Sequence, residues 1–351
     1  MRVSGAAQRF SYPDNENHCL EGKGKDGATT SISDASATNQ GRNRKQRSGT
    51  KKRLHYSYAS VLYRHRGDHG PAHHCGHGAR FRVSFLKKDF RKPDHMLSLQ
   101  EQLHDAAELM QQARQIVALT GAGISTESGI PDFRSPGSIW QRQPPVSYQD
   151  FLNKAEARRN YWQTRRNLAG QVAAAQPNAA HRALAELERR DILLGVITQN
   201  FDGLHQDAGN HPERVIELHG TSRQAACTLC GKRSSMSELQ RRIDAGEIDP
   251  RCSFCGGYLK AATILFGQRV PEAELARARE LAALCDLFLV VGSSLKVTPA
   301  ATLPRVALRR NVPLIIVNIQ PTPLDDYADV VIHEKAGVVL PPLVATLDSL
   351  G

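Results

Sequence analysis

Apolar positions from Leu99 onward fall into two alternating patterns. Between Leu99 and Arg114 they recur at Leu99, Leu103, Ala106, Met110 and Ala113, the spacing that lays a stripe along one helix face. Gln115 to Thr120 (QIVALT) then reads as a short buried strand that ends at glycine. Asn178 to Arg190 predicts a helix, with Asn178 behind Pro177 as its N-cap. Ile192–Thr198 is the next strand. Glu272 to Leu284 and Thr302 to Arg310 predict helices, followed by strands at Leu287–Val291 and Leu314–Asn318. Continuous apolar strands alternating with helices predict an α/β fold: a Rossmann-like parallel sheet with helices on both faces. Ligands in such sheets sit beyond the C-terminal strand ends. Gly121, Gln199, Gly292 and Asn318 each follow a strand directly, so they are expected to meet in one crevice.

Two segments break the alternation. Residues 136–176 predict an inserted helical module containing Pro144 and Pro145, and residues 222–262 carry two cysteine pairs. Both are expected in a smaller lobe beside the sheet. Residues 1–95 show no sustained period and are rich in Ser, Gly, Asn, Arg and His, so they predict a disordered basic extension. Composition changes sharply at Met96, which also fits an over-extended translation start. Residues 96–351 are then expected to form one globular domain, with residues 136–176 and 222–262 as its small-lobe insertions.

Charge follows the same division. The formal net charge is +11, yet residues 1–95 hold 19 Lys/Arg against 8 Asp/Glu, and the remainder holds 27 of each. The basic character therefore says nothing about the partner of the globular part. Arg42 to Arg53 (RNRKQRSGTKKR) could touch nucleic acid weakly, or membrane headgroups, but a solvated charge run explains it more simply. The cluster His73, His74, Cys75 and His77 could bind metal, but isolated His/Cys tracts of this kind usually do nothing specific. No apolar run reaches the length of a membrane span, and Met1 to Phe10 lacks the apolar core of a secretory signal. Seven cysteines, four of them in pairs, favour a reducing compartment, the cytoplasm.

Cys227-x-x-Cys230 and Cys252-x-x-Cys255 flank residues 231–251. Two such knuckles across a loop predict a tetrahedral zinc ribbon. Four thiolates fill the coordination sphere, so the metal is structural and metal-assisted hydrolysis is disfavoured. A ribbon can also bind nucleic acid, but this loop mixes Arg241, Arg242, Asp244, Glu247 and Asp249, which does not favour a phosphate surface.

Gly121-Ala122-Gly123 comes directly after a strand. Adjacent glycines let a backbone approach a pyrophosphate, whose oxygens the N–H groups cradle. The third glycine is Gly129, which misses the G-x-G-x-x-G spacing, and a plain tight turn is nearly as good a reading. Ser125, Ser128, Asp132 and Arg134 then make a dense polar run around Pro131 and Phe133. Downstream, His219 before Gly220 is either a satisfied turn histidine or a general base. Asn200 and Asp202 past a strand end are either an Asx turn or hydrogen-bonding partners for a ligand's hydroxyls.

The run Gly121 to Arg134 (GAGISTESGIPDFR) resembles the N-terminal signature of the sirtuin family. The likeness continues through Thr198 to His205 (TQNFDGLH), Glu217 to Gly220 (ELHG), both cysteine pairs and Phe266-Gly267. It runs on through Gly292 to Leu295 (GSSL), Val297, Pro299-Ala300 and Val317-Asn318. It covers residues 96–351 and none of 1–95. The resemblance implies NAD-dependent removal of acyl groups from protein lysines, with nicotinamide, free lysine and acyl-ADP-ribose as products. NAD would contact Gly121, Ala122, Gly123, Ser125, Asp132, Phe133, Arg134, Gln199, Asn200, Asp202, Gly292, Ser293, Ser294 and Asn318. His219 would be the base, aided by Asn200 and Asp202, while His205 would pack near the site without reacting. Ile264, Phe266 and Gly267 would hold the acyl-lysine peptide as an added strand.

The family pattern is broken in two places. Its usual Lys-Pro-Asp and Phe-Gly-Glu here become Lys260-Ala261-Ala262 and Phe266-Gly267-Gln268. The Tyr-x-x-Arg pair of sirtuins that remove acidic acyl groups becomes Trp162 with Arg165, which weakens succinyl-lysine as a substrate. Trp162 then either lines an apolar acyl channel or packs in a core. A mono-ADP-ribosyltransferase on the same scaffold is the nearest alternative activity, and a non-catalytic zinc or nucleic-acid binder a more distant one.

Overall fold

A computed structural model describes residues 97–132 and 144–347. The basic N-terminal stretch, and Phe133 and Arg134, lie outside the described residues. Helix α1 (Leu99–Gln112) starts at a capping box in which Ser98 Oγ accepts the Glu101 N–H and the Glu101 carboxylate accepts the Ser98 N–H. Strand β1 (Ile116–Thr120) runs into a 3-10 segment over Ala122–Ser128. The helical module contributes α2 (Tyr148–Asn153) and α3 (Ala155–Ala174). Helix α4 (Ala179–Arg189) opens as expected on Asn178, whose side chain accepts the N–H groups of Ala180 and His181. Then come β2 (Leu193–Thr198), the short α5 (Leu204–Ala208) and β3 (Val215–Glu217).

The cysteine region folds as β4 (Gly220–Cys227), β5 (Arg233–Ser235), α6 (Met236–Asp244) and β6 (Leu259–Thr263). The chain returns through α7 (Glu272–Leu284), β7 (Leu287–Val291), α8 (Pro304–Leu308), β8 (Leu314–Val317), β9 (Val330–Ile332) and α9 (Ala336–Thr346). The helix expected over 302–310 is shorter, because a 3-10 turn at Ala300–Thr302 precedes Pro304.

Six strands pair in parallel in the order β3-β2-β1-β7-β8-β9. The order reverses between β1 and β7, which makes their C-terminal ends the switch point where such sheets bind ligands. The buried strands explain themselves. In β1, Ile116 and Ala118 face a core with Met110, Leu184 and Leu340, whereas Val117 and Leu119 face a second core with Ala278, Leu303 and Ala307. Alternation to two apolar layers is why the strand reads as an unbroken apolar run.

The smaller lobe is an antiparallel β5-β4-β6 sheet with α2, α3 and α6 around a third core. Arg158 of α3 locks its halves together. The Arg158 side chain is buried, at 3% exposed. Its guanidinium forks onto Asp249 at 2.8 and 3.0 Å and lies 3.6 Å from the Tyr258 ring centroid. Bidentate geometry of this kind is what arginine supplies and lysine does not.

Candidate active site

The four strand-end positions do converge. Gly121, Gln199, Gly292 and Asn318 line one cavity of about 620 Å³, within the span of small-molecule sites. Gly121 and Gly123 have a tighter reason to be glycine than ligand approach. A Cβ on Gly121 would lie 2.8 Å from the Gly292 carbonyl oxygen, and one on Gly123 would lie 2.8 Å from Gly292 Cα. The two loops at the switch point touch backbone to backbone, and the Gly123 N–H donates to the Gly292 carbonyl at 2.9 Å. The close packing of the two loops therefore requires these glycines whatever ligand the cavity takes.

Polar groups behind and along the wall form one network. Asn200, 7% exposed, donates from Nδ2 to the Gly121 carbonyl at 3.2 Å and to Ser125 Oγ at 3.0 Å. Ser125 Oγ donates to Asp202 Oδ2 at 2.8 Å, and Asp202 Oδ1 accepts the Leu204 N–H at 3.0 Å. Asp202 thus makes the turn expected past the strand end, with its carboxylate also holding the serine. Ser125 and Asp202 stand behind the lining, while Asn200 reaches it. Gln199 Nε2 donates to Ser293 Oγ at 2.7 Å, tying the two strand ends across the switch point.

His219 lines the same cavity, and its Nδ1 lies 2.8 Å from the Gln199 carbonyl oxygen. A carbonyl only accepts, so the proton is on Nδ1 and the basic lone pair on Nε2. A neutral imidazole fixed in that tautomer is equipped to take a proton.

The opposite wall comes from the smaller lobe. Ile264, Phe266 and Gly267 line the cavity, and the Ile264 N–H is already donated to the His219 carbonyl at 2.8 Å. The Phe266 carbonyl accepts the Tyr148 N–H at 2.8 Å. Residues that depart from the family pattern are built in. The Gln268 side chain accepts the Leu265 N–H at 3.1 Å, and the Gln268 N–H donates to the Leu265 carbonyl at 2.9 Å, which closes the turn. Buried Lys260 donates from Nζ to the carbonyls of Ala261 and Thr263, and burial brings its ammonium down to about 8.

Trp162 and Arg165, expected at the acyl pocket, are not in the cavity lining. Trp162 is 3% exposed in the small-lobe core, edge-on to Tyr161 at 5.1 Å, which is the packing alternative. Arg165 lies over the Tyr161 ring at 5.8 Å, and the Tyr161 hydroxyl in turn accepts the Ala261 N–H at 3.1 Å. Apolar packing of a Trp beside Phe151 and Leu239 outweighs any pull toward the cavity.

Cys227, Cys230, Cys252 and Cys255 place all four Sγ atoms within 4.8 Å of one another. Cys227–Cys255 and Cys230–Cys252 are 3.4 and 3.9 Å apart. Zinc–sulfur bonds of about 2.3 Å at tetrahedral angles require about 3.8 Å between sulfurs, so the donor set fits the metal. Backbone N–H groups of Cys255 and Phe254 hold the Cys252 thiol down to about 7.

Of the other expected contacts, Ala122, Gly123, Asp132, Ser293 and Ser294 line the cavity, and His205 is buried behind it. Gln320 and Glu334 also line it and were missed. Glu334 follows Val330–Ile332, a triplet too short to mark a strand end by itself, and Gln320 lies just past the β8 end behind Asn318.

A doubly wound sheet with its cavity at the switch point, beside a lobe whose four cysteines suit a metal, places this chain among α/β proteins that take a ligand at the strand ends. Comparison with known proteins names the class. Residues 121–299 match the Sir2 family model. The chain is 48% identical over 236 residues to the NAD-dependent protein deacetylase 2 of Streptomyces coelicolor, covering 66% of this chain and 97% of that one. It is 42% identical to the NAD-dependent protein deacylase 2 of Archaeoglobus fulgidus, covering 72% and 98%. A solved Sir2–p53 peptide–NAD+ complex superposes with a TM-score of 0.64 at 34% identity, covering 71% of this chain and 98% of that one. The chain belongs to the Sir2 family.

Proposed function

We propose that this protein removes acyl groups from protein lysine side chains at the expense of NAD. Acyl-lysine, NAD and water would give free lysine, nicotinamide and acyl-ADP-ribose, formally a transferase reaction. The observation that carries the reading is His219, held as a base by the Gln199 carbonyl inside the switch-point cavity. Gly121, Ala122, Gly123, Asp132, Gln199, Asn200, Gly292, Ser293, Ser294 and Asn318 would hold the dinucleotide, with Ser125 and Asp202 fixing Asn200 from behind. NAD would supply a good leaving group and an electrophilic ribose carbon. His219 Nε2 would take the proton of a ribose hydroxyl, and apolar lining residues such as Ile264, Phe266 and Val270 would keep water from the reacting carbon. Ile264, Phe266 and Gly267 would line the peptide's path. The cysteines would hold one zinc ion, whose part is to fix the small lobe. A four-thiolate site favours residence in the reducing cytoplasm. The ADP-ribosyltransferase alternative is not favoured, since the relatives carry deacetylase and deacylase names.

The test is His219→Ala on an acetyl-lysine peptide. Nicotinamide release should vanish while the circular dichroism spectrum stays that of the wild type. Deacylation by wild-type protein in the absence of NAD would refute the reading.

A further inference from the structure

Two buried histidines behind the cavity have no part in that chemistry. His181 in α4 and His205 in α5 are 0% and 1% exposed. Their rings pack with centroids 5.0 Å apart and planes inclined at 60°. Each has one nitrogen engaged. His181 Nδ1 accepts the Asn178 backbone N–H at 3.4 Å, so a neutral ring carries its proton on Nε2. His205 Nε2 lies 2.9 Å from Thr120 Oγ1. The Thr120 hydroxyl donates its own proton to Thr198 Oγ1 at 2.8 Å, so His205 must be the donor there and keeps its lone pair on Nδ1.

The two atoms left over, His181 Nε2 and His205 Nδ1, are buried without a hydrogen-bond partner. One is a donor and the other an acceptor, on touching rings. Buried polar groups in native proteins are nearly always paired, and each of these atoms sits on a ring packed against the other's.

We propose that His181 and His205 are positioning residues, joined by an Nε2–H···Nδ1 hydrogen bond that completes a relay from the α4 N-cap to the cavity wall. The relay runs from the Asn178 N–H through His181, His205 and the Thr120 hydroxyl to Thr198 Oγ1, which also accepts the Asn200 N–H at 3.0 Å. At its other end, Asn178 Nδ2 holds the Ile124 carbonyl at 2.7 Å and Ser128 Oγ at 3.0 Å. The pair therefore ties the 3-10 segment after β1 to the strand end that carries Asn200 and Gln199. Both rings stay neutral. Burial takes His181 down to about 4, against the pull of Asp202 in the loop after β2 and with the push of Arg182 on its own helix. Burial and its neighbour His181 take His205 to about 3.

The relay's kinetic role rests on the NAD-site reading, but its existence does not. Long-range nitrogen–proton NMR spectra of the uniformly labelled full chain, assigned by loss of signals in His181 and His205 variants, read each tautomer. The expectation is two neutral Nε2–H rings at neutral pH and still at about pH 5. An Nδ1–H tautomer or a charged ring would overturn the relay. In steady-state kinetics, His205→Leu, without polar atoms, should lower kcat/KM for NAD about tenfold with the peptide KM unchanged. His205→Gln, which keeps a donor for Thr120, should stay within about threefold of wild type. Equal activity of the two variants would mean a packing role only. Wild-type protein that releases no nicotinamide would sink the deacylase reading instead, and the tautomers would still decide the relay.

Discussion

Replacing Gly123 by alanine isolates the contact at the switch point. The added Cβ would sit 2.8 Å from both the Cα and the carbonyl oxygen of Gly292. Those partners are backbone, so no side-chain rotation relieves the clash. The loops after β1 and β7 must part, which also breaks the 2.9 Å bond from the Gly123 N–H to the Gly292 carbonyl. Overpacking of this kind costs about 1–3 kcal/mol, and the hydrogen bond about 1 kcal/mol more. A loss of about 3 kcal/mol is a large share of the stability of a domain. At a urea slope of about 3 kcal/mol per molar it lowers the unfolding midpoint by about 1 M. The assay is urea unfolding monitored by circular dichroism, with no nucleotide present. Gly129→Ala is the control, since its φ is +85° but nothing lies within 4 Å of the new Cβ, so only about 1–2 kcal/mol of left-handed strain is expected. A Gly123→Ala variant that unfolds with the wild type in the absence of NAD, yet binds NAD poorly, would refute the clash. That result would return the glycine to ligand approach.

Stripping the metal with a thiol-compatible chelator should abolish nicotinamide release and lower the thermal midpoint, both recovered on adding zinc; metal-free protein with wild-type activity would remove the ribbon's structural role. Acid should weaken the fold through the buried histidines. An unfolded histidine titrates near 6.5, whereas His181 and His205 are held near 4 and 3. Their full contribution is present above about pH 6.5 and is lost as pH falls, because only the unfolded chain takes up the protons. By about pH 5 each should have lost about 2 kcal/mol, and urea midpoints measured across that window should flatten in His205→Gln. An undiminished slope in the variant would assign the acid lability to other groups.

Strands buried on both faces were legible because each position needs an apolar side chain, and β1, β2, β7 and β8 carry almost nothing else. Helix α4 was legible down to its cap, because Asn178 satisfies two helix N–H groups by itself. Edge strands β3 and β9, three residues each, are too short to show a period. Helix α9 contains Pro341 and Pro342, which local rules read as a helix break. Val339, Leu340, Leu343 and Val344 of that helix are buried in the core shared with α4 and α1, and their burial outweighs the lost backbone bonds. Trp162 shows the same override in reverse. Its sequence offset matched a pocket position, but an indole beside an aromatic core packs there.

Register links the parts of the site that sequence spacing leaves separate. Strands β4 and β6 pair Cys227 with Leu259 at one end and Gly220 with Thr263 at the other. The first pair abuts the four sulfurs. The second sits between His219 and Ile264, one residue outside each strand, and the Ile264 N–H donates to the His219 carbonyl there. The connection between the sulfurs and the base is not one unbroken ladder, because the pairing shifts register between Gly220 and Ala225. It is braced on one side by the Tyr161 hydroxyl on Ala261 N–H and on the other by the buried Lys260 ammonium. Lys260 bridges that shift, since its ammonium holds the carbonyls of both Ala261 and Thr263. A change at the sulfur end therefore reaches the Gly220–Thr263 pair beside His219 through a side chain, and not through main-chain pairing alone.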